Sequence, residues 1–132
     1  MQFSPDQPAI FNTTIDRERN RLRTEIVGRI ELPQVEEYVA RKVGEGIMPF
    51  AELLDARLAS TAVSAHDIHH LVDVVRRLAS ATSLGQVAVV VADNVTYGMA
   101  RMMSTLIEGT VSIQPFHEIE KAEEWLGWKE KT

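Results

Sequence analysis

Histidines and carboxylates are closely spaced in one short segment, which contains His66, Asp67, His69, His70 and Asp73. On a helix, His66 and His70 lie four residues apart, so both imidazoles can reach one metal ion from the same face. Asp73, one turn beyond His70, is a third candidate ligand. The apolar residues of this segment fall on the other side of the helix, and a single further histidine, His117, occurs elsewhere. We therefore expect a solvated helix face, and we predict neither a metal site nor any other cofactor.

A second group of polar residues follows the ends of the later predicted strands. Asp55 and Arg57 follow one strand, Asp93 and Asn94 follow the next, and His117 ends the last. Ligands of open α/β sheets bind at the carboxyl ends of the strands, and a helix N-terminus offers free N–H groups to an anion. The alternative is that Asp and Asn cap helices here while the arginines pair with surface carboxylates. The predicted ligand-binding site, for a small anion or a phosphorylated partner, consists of Asp55, Arg57, Asn94, Tyr97 and Arg101.

Arginines are concentrated near the N-terminus, at Arg17, Arg19, Arg21, Arg23 and Arg29. They are interleaved with Asp16, Glu18 and Glu25. Mixed signs indicate a solvated strand face with cross-strand ion pairs. A patch for anions or acidic lipids is the alternative.

Motifs for catalysis are missing from the sequence. It contains no Gly-x-Ser-x-Gly elbow, no phosphate-binding loop and no dinucleotide fingerprint. We therefore predict no catalytic residues and favour a non-catalytic regulatory or ligand-binding domain. The alternatives are a small enzyme that uses Asp55, Asp93, Tyr97 and Arg101, and a peripheral lipid-binding domain.

The elements that position these residues follow from hydropathy periodicity. Alternating or continuous apolar residues predict strands at 10–15, 21–30, 50–55, 86–92 and 111–117. Helical spacing predicts helices at about 33–43, 64–79, 94–108 and 118–126. The resulting α/β order is β-β-α-β-α-β-α-β-α, which implies a leading hairpin followed by parallel strands with right-handed crossovers.

Three local signals refine these elements. Ser64 and Asp67 form a capping box at the start of the second helix. Asn94 is the expected cap of the third helix, in which Met99, Met102 and Met103 face the core. Pro115 places the last strand at an edge of the sheet, because proline cannot donate to a strand ladder.

Four strings carry a resemblance to a known family: FAELLDAR at 50–57, AVVVA at 88–92, YGMARM at 97–102 and EKAEEWL at 120–126. Together with the element order, they resemble the SpoIIAA-like or STAS-like family over residues 10–126. The resemblance implies a small mixed sheet flanked by helices, and a regulatory or ligand-binding role.

One departure from this family concerns its phosphorylation switch. In the anti-sigma-factor antagonists of the superfamily, a regulatory phosphoserine lies in an Asp-Ser-Ser-Gly segment after the strand that ends in Asp. Here the corresponding residues 55–64 read DARLASTAVS, and Thr61-Ala62 stands nearest to the Ser-Gly pair. We therefore expect no phosphorylation switch at Ser60, Thr61 or Ser64. The chain is more similar to the uncharacterised bacterial branch of the family.

Composition limits the class of protein. The 132 residues predict one domain, 1–132, with 1–8 and 127–132 as mobile tails. The net charge of -5 argues against nucleic-acid binding. No signal peptide is evident, and the longest apolar run, 87–92, is too short to cross a bilayer. With no cysteine, a cytoplasmic location is expected. The expected partner is an unknown protein or a small anionic ligand, and a homodimer is left as an alternative.

Overall fold

The computed structural model describes residues 7–128. In that range the elements are β1 (Ile10–Asp16), β2 (Arg21–Ile30), α1 (Leu32–Glu45), β3 (Ala51–Thr61), α2 (Ala65–Ala79), β4 (Val87–Val91), α3 (Asn94–Leu106), β5 (Ile113–Phe116) and α4 (Ile119–Leu126). This order confirms the predicted mixed α/β arrangement. No helix in the described range is both long enough and apolar enough to cross a membrane.

The five strands form one sheet in sequential order, β1-β2-β3-β4-β5. β1 and β2 form the predicted antiparallel hairpin. From β2 onward every neighbouring pair is parallel, so the four strands β2 to β5 run in the same direction. β5 lies at an edge, as Pro115 predicted.

The two faces of the sheet are covered differently. On β4, Val89 and Val91 belong to the side covered by α1, α2 and α3, which we call the three-helix face. Ala88 and Val90 alternate with them and pack against α4 on the opposite side, the α4 face. Because β4 is apolar on both sides, it is covered on both, as its sequence predicted.

The third strand is longer than predicted. The sequence indicated a short strand at 50–55, whereas β3 continues to Thr61. The reason is that the ten-residue β2 extends beyond β4 and pairs with the second half of β3, after a register shift between Glu25 and Val27. Ser60 therefore lies in a paired strand rather than in a loop.

Hydrogen bonds from capping side chains fix the residues at which α2 and α3 begin. The predicted capping box of α2 is present, with the Ser64 hydroxyl and the Asp67 carboxylate each accepting a backbone N–H. In α3 the cap is Asp93 rather than Asn94, because the Asp93 carboxylate accepts from the backbone N–H of Thr96 at 2.7 Å. This bond lowers the pKa of Asp93. Asn94 is therefore the first residue of α3.

The ends of the described range contact the sheet. Pro8 forms an isolated bridge with Arg29, and Ala9 is buried. At the other end, the Trp128 ring lies beneath the guanidinium groups of Arg21 and Arg23. The remaining residues of the predicted tails, 1–6 and 129–132, lie outside the described part of the chain.

Candidate functional site

The three-helix face contains a cavity of about 220 Å³ between the sheet and helices α1, α2 and α3. Its walls are mostly apolar. They include Ile26, Leu54 and Val89 from the sheet and Val39, Leu71 and Met103 from the helices. Side chains in protein interiors pack nearly as tightly as in organic crystals, so a space of this size between sheet and helices is large enough to admit a small ligand.

Small and long side chains together account for the open space. Ala56 of β3 and Ala100 of α3 line the cavity and contribute one methyl group each. The buried residues of α1 are Tyr38 and Lys42, two long side chains whose polar ends reach the sheet. The valines of α1 that line the cavity are Val35 and Val39.

A polar network anchors α1 to the sheet beside this cavity. Its centre is Glu52 on β3, whose Oε1 accepts from Lys42 Nζ at 2.6 Å. Glu52 Oε2 accepts from the hydroxyl of Tyr38 and from Thr24 Oγ1, the latter at 2.9 Å. Thr13 Oγ1 extends the network, 2.9 Å from Thr24 Oγ1. In residues 7–128 no buried side-chain nitrogen or oxygen is without a hydrogen-bond partner.

The charges of this network are almost fully removed from solvent. The side chain of Glu52 is 1% exposed and that of Lys42 is 8% exposed. Charges at such depth persist when they are paired and hydrogen-bonded. Burial, together with the adjacent Glu52 carboxylate, raises the pKa of Tyr38 well above its ordinary value of 10.0. Tyr38 therefore stays protonated at neutral pH and acts as a donor rather than as a base.

Tyr38 also separates the cavity from two clefts between α1 and β1. It lines the cavity and both clefts, and its ring stacks on Phe11 with centroids 4.6 Å apart. Arg41, which lines both clefts, donates from Nη2 to the Phe11 carbonyl at 3.2 Å. Residues of α1 therefore form the boundary between the cavity and the surface.

Two of the five predicted site residues, Asp55 and Arg57, pair with each other. Arg57 donates from Nε and Nη2 to the two carboxylate oxygens of Asp55, at 2.9 and 2.7 Å. These bonds lower the pKa of Asp55. Asp55 also lines a shallow depression with Glu25 and Ile119, which places it on the α4 face.

The other three predicted residues lie on α3, on the opposite side of the sheet. Tyr97 packs against the core of the three-helix face and stacks on His117, with ring centroids 4.5 Å apart. Asn94 and Arg101 are exposed. The structure therefore does not bring the five residues together, and the sequential strand order provides no switch-point crevice at this edge.

The histidine-rich face of α2 carries no cluster of metal ligands. His66, His69 and His70 are exposed, and His70 Nε2 lies 3.2 Å from Glu36 Oε2 of α1. Asp67 is occupied in the capping box, where the backbone N–H of Ser64 lowers its pKa. Within the described range, no group of three or more His, Cys, Asp or Glu side chains is arranged to hold a metal ion.

Three of the five N-terminal arginines, Arg19, Arg23 and Arg29, form ion pairs with described residues. Arg19 pairs with Asp16 inside the hairpin turn at 3.2 Å, and Arg29 pairs with Glu31 at 2.8 Å. Arg23 pairs with Glu123 of α4.

No residue of the Glu52 network was among the functional residues that we predicted from the sequence. Two signals point to it in retrospect. Glu52 is a charged residue inside an otherwise apolar strand segment. Lys42 follows Val35, Tyr38 and Val39 at the i, i+3, i+4, i+7 spacing of an inward helix face, where a lysine needs a buried partner.

A mixed five-stranded sheet with three helices on one face and one on the other defines the chain as a small α/β domain. No family model matches the sequence, and no curated protein matches it. Among solved structures it is similar to an uncharacterized protein of the DUF3478 family from Shewanella loihica PV-4, which has a SpoIIAA-like fold. The TM-score is 0.56 at 15% identity, covering 90% of this chain and 94% of the other. The chain therefore has a SpoIIAA-like fold, as the sequence resemblance predicted.

Proposed function

We propose that this protein is a non-catalytic ligand-binding domain that takes a small, predominantly apolar molecule into the cavity of the three-helix face. The observation that carries the proposal is the cavity of about 220 Å³ with its mostly apolar walls. An engineered apolar cavity of about 150 Å³ stays dry and binds benzene. A somewhat larger cavity suits a single substituted ring or a short branched chain.

The polar wall of the cavity supports binding rather than catalysis. The Glu52 carboxylate accepts three hydrogen bonds, from Lys42, Tyr38 and Thr24. A general base needs a lone pair that can take a proton from substrate, and this carboxylate is already held by donors. Tyr38 retains its own proton because its pKa is raised. The network is therefore suited to holding α1 in place above a bound molecule.

Ethylbenzene tests the proposal, because it is apolar and only slightly larger than benzene. A ligand that binds the folded state alone raises its stability by about 2.7 kcal/mol at one hundred times the dissociation constant. We expect ethylbenzene to raise the melting temperature of the wild-type protein. Isothermal titration calorimetry on the same samples gives the dissociation constant.

Ala100→Leu fills the cavity and should weaken ethylbenzene binding at least tenfold, because the added methyl groups occupy the ligand's space. Ala40→Leu makes the same change at an exposed position of helix α1 and should bind as the wild type does. Should Ala100→Leu fail to fold, Ala56→Val serves as the filling variant. Absence of binding to the wild type, or equal binding by filled and control variants, would contradict the proposal.

As a second proposal we retain three of the five residues of the predicted anion site, Asn94, Tyr97 and Arg101, which all lie on α3. We call these three residues the reduced anion site. The observation that favours it is the exposed Arg101 guanidinium, which forms no ion pair with the carboxylates of residues 7–128. An unpaired arginine offers a planar fork that can hold two oxygens of an anionic or phosphorylated partner. Asp55 and Arg57 contribute no group to this reduced site, because they pair with each other on the α4 face.

A further inference from the structure

We infer that the molecule bound in the cavity is electrically neutral and carries one hydrogen-bond acceptor, a carbonyl or hydroxyl oxygen, that binds the ammonium group of Lys42. The inference rests on the proposed function and specifies its ligand. It follows from the charge of the cavity wall and from the number of donors left on that wall.

The charge of the wall is balanced without a ligand. Lys42 and Glu52 are the two charged residues among the described residues that line the cavity, and their charged atoms are 2.6 Å apart. An anionic or cationic ligand would add an uncompensated charge to this buried site. Such a charge is strongly disfavoured away from water. A neutral molecule avoids this penalty.

The hydrogen-bond capacity of the wall is not balanced. A lysine ammonium has three N–H donors. Among residues 7–128, Lys42 Nζ makes one hydrogen bond, to Glu52 Oε1, while the Tyr38 ring centroid lies 5.4 Å away. Three hydroxyls line the cavity: that of Tyr38 donates to Glu52 Oε2, that of Thr96 donates to Asp93 Oδ2, and that of Thr61 accepts from the backbone N–H of Val63. The buried ammonium group with spare donors is that of Lys42, which lines the cavity and also one of the two clefts between α1 and β1. The matching group on a ligand in the cavity is an acceptor.

Three probes of similar size separate the chemical classes: ethylbenzene, acetophenone and benzoate. Acetophenone has the ring and two-carbon substituent of ethylbenzene with a carbonyl oxygen added, whereas benzoate is an anion. We expect acetophenone to bind the wild-type protein at least tenfold more tightly than ethylbenzene, because hydrogen bonds to charged groups are the stronger kind. Benzoate should bind at least tenfold more weakly than acetophenone.

The double variant Lys42→Met/Glu52→Gln removes both charges together and keeps the wall neutral. In this variant acetophenone should lose its preference over ethylbenzene, because the ammonium donor is gone. Both ligands are measured on the same variant, so any general change in the cavity affects both alike. Lys121→Met, at an exposed lysine of helix α4, is the matched control and should keep the wild-type preference.

The outcomes distinguish the two proposals. Equal binding of ethylbenzene and acetophenone to the wild type would overturn the inference and leave the apolar cavity site intact. Tightest binding by benzoate would also overturn it, since a negative ligand would then be preferred. Failure of all three probes to bind would overturn the proposed function itself, and the inference with it. The probe comparison on the wild type decides the question even if the double variant does not fold.

Discussion

At the scale of single residues, the most unusual side chain is a carboxylate in the middle of a sheet. Glu52 of β3 is held there by three donors from two other elements: Thr24 of β2, and Tyr38 and Lys42 of α1. A buried ion pair is weak evidence for stability by itself, because desolvation offsets most of its attraction. Removing one partner is a different matter, since the other charge then remains buried and unpaired.

The Lys42 and Glu52 pair should therefore show strong coupling in a double-mutant cycle. We expect Lys42→Met to lower the free energy of unfolding by about 3–5 kcal/mol, the usual cost of breaking a buried pair. The double variant Lys42→Met/Glu52→Gln should cost clearly less than the sum of the two single changes. Urea denaturation of the four proteins measures the coupling energy.

The exposed pair of Lys121 and Glu124, with charged atoms 4.0 Å apart, is the control for this cycle. Its coupling energy should be no more than about 0.5 kcal/mol, as for other exposed helix pairs. Additive changes at Lys42 and Glu52 would show that the network does not act as a unit.

At the scale of elements, the loops before β3 and β4 lie in direct contact at Gly85. A Cβ atom built on Gly85 would lie 2.2 Å from the carbonyl oxygen of Phe50, a distance that real structures do not allow. The backbone N–H of Gly85 also donates to Met48 at 3.0 Å. The position therefore requires glycine for a close approach of two backbones.

Gly85→Ala should lower the free energy of unfolding by about 1–3 kcal/mol, the usual effect of overpacking. Gly98→Ala is the matched control, because Gly98 lies inside helix α3 with open space around it. That change should instead raise stability by about 0.5–1 kcal/mol, since alanine is the better helix former. Chemical denaturation of both variants measures the difference, and a neutral Gly85→Ala would show that the two loops can move apart.

Some parts of the fold depend only on residues that are close together in the sequence, and these parts were predicted best. The β2 strand and the α2 capping box were predicted correctly, because alternation and capping depend on residues close together in the chain. The length of β3 was not predicted correctly, because its second half is fixed by pairing with β2, about thirty residues earlier in the chain. Asn94 was predicted as a cap because sequence spacing does not distinguish it from Asp93, whose carboxylate accepts the hydrogen bond from Thr96.

The candidate sites depend still more on packing. The sequence predicts that Asp55 and Tyr97 lie near one edge of the sheet. It does not predict that their side chains lie on opposite faces. The cavity has no local signal, since its walls come from strands and helices that are distant in the sequence, with Ala56 of β3 and Ala100 of α3 among the lining residues. The spacing of Lys42 on the inward face of α1 indicates that its ammonium group has a buried partner. It does not indicate that this partner is Glu52.

At the scale of the whole molecule, the sheet separates two surfaces that carry different chemistry. The three-helix face holds the cavity, its polar wall and the exposed Arg101 on α3, while the α4 face holds the pair of Asp55 and Arg57. We therefore expect the two groups to be energetically independent. Changes at sites that share no partner usually add within about 0.3–0.5 kcal/mol.

Arg101 and Asp55 should accordingly show no coupling in stability. We expect Arg101→Ala to change the free energy of unfolding by no more than about 0.5 kcal/mol, because the side chain is exposed and unpaired with carboxylates of the described residues. Combined with Asp55→Ala, the effects should add. The pair of Asp55 and Arg57 is the comparison, and its half-exposed geometry should give a coupling of about 0.2–1 kcal/mol.

The same variants test the reduced anion site. If that site on α3 binds inorganic phosphate, titration calorimetry should show phosphate binding that is lost in Arg101→Ala and weakened in Arg101→Lys, because lysine cannot reproduce the bidentate fork. Asp55→Ala should leave phosphate binding unchanged, since Asp55 lies on the other face of the sheet. Coupling between Asp55 and Arg101 above about 1 kcal/mol would instead mean that the two faces communicate through the sheet and are not independent.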